Sequence, residues 1–190
     1  MFLNQCLDEK ESQVMFNSVF ESYNGYELSL ESRKLLSKQK DASLTYGEVS
    51  YEGLHAILRI IDPKEGFEFL DLGSGLGKAL FLVSVLYPCK RLIGVEMLPL
   101  LFSASKDILD GFFNEMQQRF EGVSLPEVSL VNDTFMNTVS VSNSDIIFAC
   151  ATSFNDSQFH FIKESVNSMK EGSHLIVFTR PIYHDFLECV

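Results

Sequence analysis

Residues 69–79 read FLDLGSGLGKA, and this stretch decides the fold. Its bulky apolar residues predict a buried strand that carries Asp71 near its end. Gly73, Gly75 and Gly77 follow at once, and glycine adopts backbone conformations that a Cβ forbids while letting a ligand approach the main chain. The stretch therefore predicts a strand, a tight ligand-binding turn and the start of a helix.

Short apolar strands alternate with helical segments downstream of this turn. Strands are predicted at 67–72, 91–96, 127–133, 144–150 and 173–180, and helices at 78–87, 98–120 and 157–170, the second helix being interrupted at Gly111. Such alternation is typical of an α/β fold, in which a mostly parallel sheet carries helices on both faces.

The upstream part of the chain is predicted to be helical. Residues 1–43 contain two amphipathic stretches around Gly25, which predict either a helical cap on the main domain or a mobile arm. Ser50 can cap a further helix, and residues 44–49 form a loop in front of it. We therefore expect a helical N-terminal cap of residues 1–43 and a main domain of residues 44–190.

Composition favours a folded cytoplasmic protein. Hydrophobic residues make up 46% of the 190 residues, and no apolar run reaches the roughly 18 residues of a membrane span. The N-terminus lacks the pattern of a signal peptide, and four separated cysteines without zinc-site spacing predict reduced thiols and no metal site. A net charge of −11 without a basic stripe disfavours general nucleic-acid binding and favours a neutral or basic partner.

Three kinds of glycine-rich turn compete for residues 71–77. A P-loop requires one more residue between its glycines and a Ser or Thr where Ala79 stands, so it is excluded. A dinucleotide fingerprint requires a third glycine where Lys78 stands, which weakens that interpretation and leaves it open. The pattern D-x-G-x-G-x-G fits S-adenosyl-L-methionine (SAM), because Asp71 can balance the positive end of a ligand that has no phosphate.

Two more acidic residues end later strands. Glu96 ends the second predicted strand, where a carboxylate can accept hydrogen bonds from both ribose hydroxyls, as it also does in NAD sites. Asp133, beside Asn132, ends the third strand and can bind an adenine amino group. Asp71 or Asp133 alone could simply cap a helix or turn, and Glu96 alone could be an exposed strand end. Because parallel strands end at one edge of a sheet, Asp71, Glu96 and Asp133 together predict a ligand site.

Two flanking segments carry a family resemblance. TYGEVSY, residues 45–51, precedes the helix in front of LDLGSGLGK, and NSMKEGSHLIVFTRPI, residues 167–182, spans the fifth strand. With these segments, residues 44–182 resemble the disruptor-of-telomeric-silencing (Dot-one) family of non-SET histone lysine methyltransferases, which are Rossmann-like class I SAM-dependent methyltransferases. That family typically has N-N-F-x-F where this chain has CATSF, residues 150–154. A class I fold normally adds a sixth and a seventh strand, which we expect this chain to lack.

The resemblance implies a cofactor and a set of site residues. SAM is the implied methyl donor, and S-adenosyl-L-homocysteine is the implied product. The implied catalytic residues are Tyr46, Glu48 and Phe154, and Tyr51 is a further candidate for the wall of the reaction centre. The implied cofactor-binding residues are Thr45, Tyr46, Glu48, Asp71, Gly73, Ser74, Gly75, Gly77, Glu96, Asn132 and Asp133.

The resemblance also implies methyl transfer to a lysine of a protein substrate. A tight apolar and aromatic channel would favour the neutral lysine amine by desolvation. Two alternatives stay open: a small-molecule or RNA methyltransferase on the same fold, and a module that binds SAM without catalysis. An open pocket without aromatic walls would favour a small molecule, and a localised basic rim would favour RNA.

Overall fold

A computed structural model describes residues 1–138 and 140–189 of the protein. Within them, five parallel strands form one sheet in the order β3-β2-β1-β4-β5. The strands are β1 (Glu68–Leu72), β2 (Arg91–Val95), β3 (Glu127–Val131), β4 (Ile146–Ala149) and β5 (His174–Val177). The α-helices are α1 (Glu9–Phe20), α2 (Gly25–Leu35), α3 (Tyr51–Ile61), α4 (Lys78–Leu86), α5 (Pro99–Arg119), α6 (Phe135–Thr138) and α7 (Asp156–Ser165). The predicted α/β fold with a parallel sheet is confirmed.

The sheet reverses its strand order beside β1. The chain runs outward from β1 through β2 to β3, then crosses to β4 and β5 on the other side. In register, Asp71 of β1 lies opposite Gly94 of β2 and Phe148 of β4. Open α/β sheets bind ligands outside the carboxyl ends of the strands at such a switch point. The topology therefore places the glycine motif at the expected ligand edge.

The glycine turn has the backbone that its sequence predicts. Gly73, Gly75 and Gly77 have φ angles of +85°, +54° and +81°, in the left-handed region that residues with a Cβ rarely adopt. Gly77 is the N-cap of α4, which begins at Lys78. The backbone N–H groups of Gly73 and Ser74 donate to the Val95 carbonyl at 2.9 and 3.0 Å, which ties the turn to the end of β2.

The N-terminal helices pack against the main core. Phe16 and Phe20 of α1 are buried and meet the Phe81 ring of α4 edge-on, with ring centroids 6.0 and 5.5 Å apart. Tyr51 is also buried there, and its hydroxyl donates to the Glu9 carbonyl at 3.2 Å. Of the two sequence-based expectations for these helices, the structure shows the packed one. The division of the chain after residue 43 stays a prediction.

The expected interruption at Gly111 is wrong. Helix α5 runs unbroken through that residue, because Leu109 and Phe112 on either side of it are buried. Burial of two large apolar side chains outweighs the roughly 1 kcal/mol by which glycine disfavours a helix interior. Across the described ranges, no helix combines the length and apolar character that crossing a membrane requires.

Candidate functional site

A cleft opens at the carboxyl edge of the sheet, beside the glycine turn. The loop at residues 43–47 covers one side of it, and segments that follow β2, β3 and β4 form the rest. Six residues predicted from the sequence line this cleft: Thr45, Tyr46, Gly73, Glu96, Asp133 and Phe154. The structure thus brings residues from five separate segments to one place.

The Glu96 side chain connects the glycine turn to the chain that follows β2. Its carboxylate accepts hydrogen bonds from the Gly75 N–H at 2.9 Å and the Leu98 N–H at 2.7 Å. The side chain is 7% exposed, and this burial raises the pKa of the carboxyl group, against the effect of those N–H donors. Each carboxylate oxygen has further acceptor capacity. Glu96 can therefore hold the turn and still accept hydrogen bonds from a ligand.

Two polar side chains of the motif each have one buried oxygen atom without a hydrogen-bond partner among the described residues. Asp71 is 2% exposed, and its Oδ1 atom has no hydrogen-bond partner among the described residues; the same holds for the buried Ser74 Oγ atom. Burial first, and the nearby Glu96 second, raise the pKa of the Asp71 carboxyl well above its usual range. Buried polar atoms of this kind are uncommon and cost stability. A carboxylate at the end of β1, such as that of Asp71, can interact with a cationic ligand, directly or through water.

The two residues predicted after β3 differ in their surroundings. Asp133 is half-buried, lines the cleft, and accepts a hydrogen bond from the Thr134 N–H at 2.6 Å. Asn132 turns its amide to the backbone, and its Nδ2 atom donates to the Glu96 carbonyl at 2.8 Å. Asn132 thus supports the position of Glu96, whereas Asp133 has its carboxylate in the cleft wall.

Tyr46 lies against the glycine turn. A Cβ added to Gly75 would come within 2.7 Å of the Tyr46 ring, so glycine is needed there for space as well as for backbone angle. Burial and the neighbouring Glu48 carboxylate raise the pKa of the Tyr46 hydroxyl above its usual range. Tyr46 therefore stays a neutral hydroxyl at working pH. By contrast, Gly77 faces Leu109 and Ser105 of α5, where it permits helix packing.

Glu48 lies on the far side of Tyr46 from the first cleft. Its carboxylate pairs with the Lys78 ammonium at 2.7 Å, and both residues line a second, open cleft with the chain between α1 and α2. Lys78 also stands over the rings of Phe20 and Phe16, 5.4 and 6.0 Å from their centroids. The sequence predicted Glu48 at the site and gave no indication of its ion pair.

The loop after β4 carries the segment that departs from the family pattern. Phe154 meets the Phe135 ring at 5.2 Å between centroids, and a Cβ on Gly73 would lie 3.3 Å from Phe154. The Ser153 hydroxyl donates to the Thr45 carbonyl at 2.8 Å, so this loop also holds the loop at residues 43–47. Burial, with a smaller effect from Asp71, raises the pKa of the Cys150 thiol to about 11. Cys150 is therefore a neutral thiol in the cleft wall.

Several lining residues were missed by sequence reasoning. They are Ser43, Leu44, Gly47, Val95, Met97, Leu98, Leu101, Thr134, Phe135, Cys150, Ser153 and Gln158. Half of them, Met97, Leu98, Thr134, Phe135, Cys150 and Ser153, lie within four residues after a strand, so their position at the carboxyl edge was a usable signal. Gln158 had a different signal, because it forms a capping box with Asn155 at the start of α7.

Asp71→Asn is expected to stabilise the ligand-free protein at neutral pH. The free carboxyl group ionises near pH 3.9, and burial raises this pKa in the folded state. The folded protein therefore holds more protons, and the Asp71 contribution to stability falls as pH rises from about 4 to the raised pKa. Urea unfolding at pH 4 to 8 should show a higher midpoint for Asp71→Asn near pH 7 and a shrinking difference towards pH 4. Asp110→Asn, at an exposed position on α5, is the control, and a lower midpoint for Asp71→Asn at pH 7 would contradict the argument.

Comparison with known proteins gives one family and several relatives. The family described as "Histone methylation protein DOT1" matches residues 26–187. A "Histone-lysine N-methyltransferase, H3 lysine-79 specific" of Drosophila melanogaster is 24% identical over 152 residues, which cover 77% of this chain and 8% of the relative. A protein of the same description from Kluyveromyces lactis is 23% identical over 152 residues, covering 76% of this chain and 26% of the relative. The chain thus spans less than a third of either relative's length.

Solved structures show the same fold. The Escherichia coli protein YjhP superposes with a TM-score of 0.56 at 17% identity, covering 80% of this chain and 55% of that one. A SAM-dependent methyltransferase from Thiobacillus denitrificans, solved with S-adenosyl-L-homocysteine, gives a TM-score of 0.52 at 13% identity, with 80% and 53% covered. These likenesses confirm the Rossmann-like class I fold.

Proposed function

We propose, because this chain belongs to the DOT1 family of histone methylation proteins, that it transfers the methyl group of SAM to a lysine amine of a protein. S-adenosyl-L-homocysteine is the corresponding product. The observation that carries the proposal is the cleft at the switch point, where Glu96 and Asp133 stand beside the glycine turn and aromatic rings flank it.

The residues of the cleft fit the methyl donor. The unpaired Asp71 Oδ1 atom lies beneath a turn whose glycines leave the backbone open to a ligand, and a carboxylate there suits the donor's ammonium group. Glu96 would hold the ribose hydroxyls and Asp133 the adenine amino group, with Gly73, Ser74 and Gly75 against the methionine portion. When bound, SAM supplies an electrophilic methyl group on a sulfonium.

Lysine is favoured as the acceptor by the cleft's walls. Tyr46 stands on one side of the glycine turn, and Phe154 with Phe135 stands on the other. Among the described residues that line this cleft there is no Lys or Arg, so nothing in the lining favours a phosphate-rich acceptor. Aromatic walls exclude water and favour a neutral amine. Tyr46 and Phe154 would thus enclose the acceptor, and Glu48, which pairs with Lys78 in the second cleft, would act on the acceptor through the position of Tyr46.

A basic protein is the proposed partner. The chain carries a net charge of −11, which attracts cationic partners at long range. The relatives named H3 lysine-79 specific make histone H3 the first candidate to test. A cytoplasmic location stays a prediction from the sequence.

The donor is tested by calorimetry with SAM, S-adenosyl-L-homocysteine and NAD. We expect heat of binding from both sulfur ligands and a weaker or absent response to NAD, because Asp71 disfavours a pyrophosphate. NAD binding without any response to the sulfur ligands would overturn the proposed cofactor.

The acceptor is tested with SAM labelled in its methyl group. Recombinant histone H3, nucleosomes, total RNA and the small-molecule fraction of a cell extract are incubated separately with the protein. We expect label in protein and, after hydrolysis, in methyl-lysine. Label confined to RNA or to small molecules would support the corresponding alternative and refute the lysine acceptor. Donor binding without transfer to any fraction would support a SAM-binding module.

A further inference from the structure

The first residue of α2 lies against the ring of Tyr46. A Cβ added to Gly25 would stand 2.5 Å from Tyr46 Cζ and 2.8 Å from its hydroxyl oxygen, distances that real Cβ atoms essentially never show. The opposite side of the ring faces Gly75, where an added Cβ would lie 2.7 Å from Cε2. The Tyr46 ring thus fills a slot between two glycines, one in the N-terminal helices and one in the glycine turn.

Other contacts join the N-terminal helices to the same loop. The buried Ser29 hydroxyl on α2 donates to the Leu44 carbonyl at 3.3 Å, and the Tyr26 ring meets the Tyr46 ring edge-on, with centroids 5.4 Å apart. On α1, the rings of Phe16 and Phe20 hold the Lys78 ammonium that pairs with Glu48. Residues 44, 46 and 48 are therefore each connected to α1 or α2.

We propose that α1 and α2 form an outer wall of the donor site, and that Gly25 is a positioning residue that leaves room for the Tyr46 ring against the glycine turn. This inference rests on the proposed function, since it assigns the loop of Tyr46 to donor binding. Gly25 and all of α1 precede residues 26–187, which the family description matches. The wall is thus argued from the contacts of this chain.

Gly25→Ala tests the slot directly. At the start of a helix, alanine is otherwise at least as favourable as glycine. Any loss of loop protection or SAM affinity in this variant can therefore be attributed to the clash with Tyr46. We expect faster amide hydrogen exchange in residues 43–49, unchanged exchange in β1 and β4, and SAM binding weakened by about tenfold, as overpacking predicts. Gly111→Ala is the matched control, because nothing lies within 4 Å of its added Cβ.

A second experiment combines Gly25→Ala with Tyr46→Ala and measures amide exchange without any ligand. In the Tyr46→Ala background the ring is absent, so adding Gly25→Ala should cause no further rise in exchange of residues 43–49. Ser29→Ala adds no volume and should speed exchange at residues 43–45 even if Gly25→Ala folds poorly. If Gly25→Ala speeds the amide exchange of residues 43–49 equally in the wild-type and Tyr46→Ala backgrounds, the slot is refuted.

Each outcome separates this inference from the proposed function. Wild-type protein that binds no SAM refutes the donor site and with it the wall, whatever the exchange data show. Wild-type protein that binds SAM, together with a Gly25→Ala variant whose loop exchange and affinity are unchanged, refutes the positioning role alone. Faster loop exchange with unchanged affinity shows that the packing exists but does not serve the donor, and it also refutes the role.

Discussion

Glu96→Ala is expected to weaken SAM binding roughly 10- to 150-fold, because each hydrogen bond to a charged group contributes about 1.5–3 kcal/mol. The substitution removes the acceptor proposed for the ribose hydroxyls. It also frees the Gly75 and Leu98 N–H groups, which donate to this carboxylate at 2.9 and 2.7 Å. The turn that faces the ligand therefore loses its side-chain attachment to Glu96 and keeps the backbone bonds from Gly73 and Ser74 to Val95. Calorimetry with SAM measures the dissociation constant, and circular dichroism shows that the variant is folded.

Two further substitutions give this result its controls. Glu96→Gln keeps one acceptor oxygen and should weaken binding less than Glu96→Ala. Asp133→Ala should act in the same direction and more weakly, since Asp133 is half-exposed and apolar neighbours such as Leu98 and Phe135 can also hold an adenine ring. A folded Glu96→Ala variant with an unchanged dissociation constant would refute the ribose role.

Tyr46→Phe and Glu48→Gln are expected to reduce single-turnover methyl transfer by up to about 100-fold, because small misplacements of reacting groups cost rates of that order. Tyr46→Phe keeps the ring between Gly25 and Gly75 and removes the hydroxyl beside Glu48. Glu48→Gln replaces the charge that pairs with Lys78 at 2.7 Å. SAM affinity should fall by a smaller factor than the rate, since interactions made only in the transition state appear in turnover.

The pH dependence of the same reaction tests the lysine acceptor. A free lysine amine has a pKa of about 10.4 and must lose its proton before it can attack. Transfer should therefore rise with pH above neutrality. The Tyr46 hydroxyl does not supply this rise, because burial and Glu48 keep its pKa above the usual range. Wild-type turnover in both variants would contradict a role of the Tyr46 hydroxyl and the Glu48 carboxylate in methyl transfer and would reduce the loop at residues 45–49 to a scaffold.

The sequence by itself determined the fold and the position of the ligand edge. Strand and helix periodicity, the three glycines and the acids at 71, 96 and 133 are local signals, and parallel strands necessarily end at one edge. The topology, the left-handed glycine turn and the meeting of Glu96 and Asp133 in one cleft all agree with them. The family resemblance of residues 44–182 likewise rested on short contiguous segments, and the family match confirms it.

The tertiary structure alone decided which partner each of these side chains takes. It turned the Asn132 amide to the Glu96 carbonyl, paired Glu48 with Lys78, and placed Tyr46 between Gly25 and Gly75. It also kept α5 continuous and packed α1 onto α4. These contacts join segments that are far apart in the chain. No local sequence pattern specifies these contacts. They depend on packing between distant segments, and that packing becomes unique only when the whole core has formed.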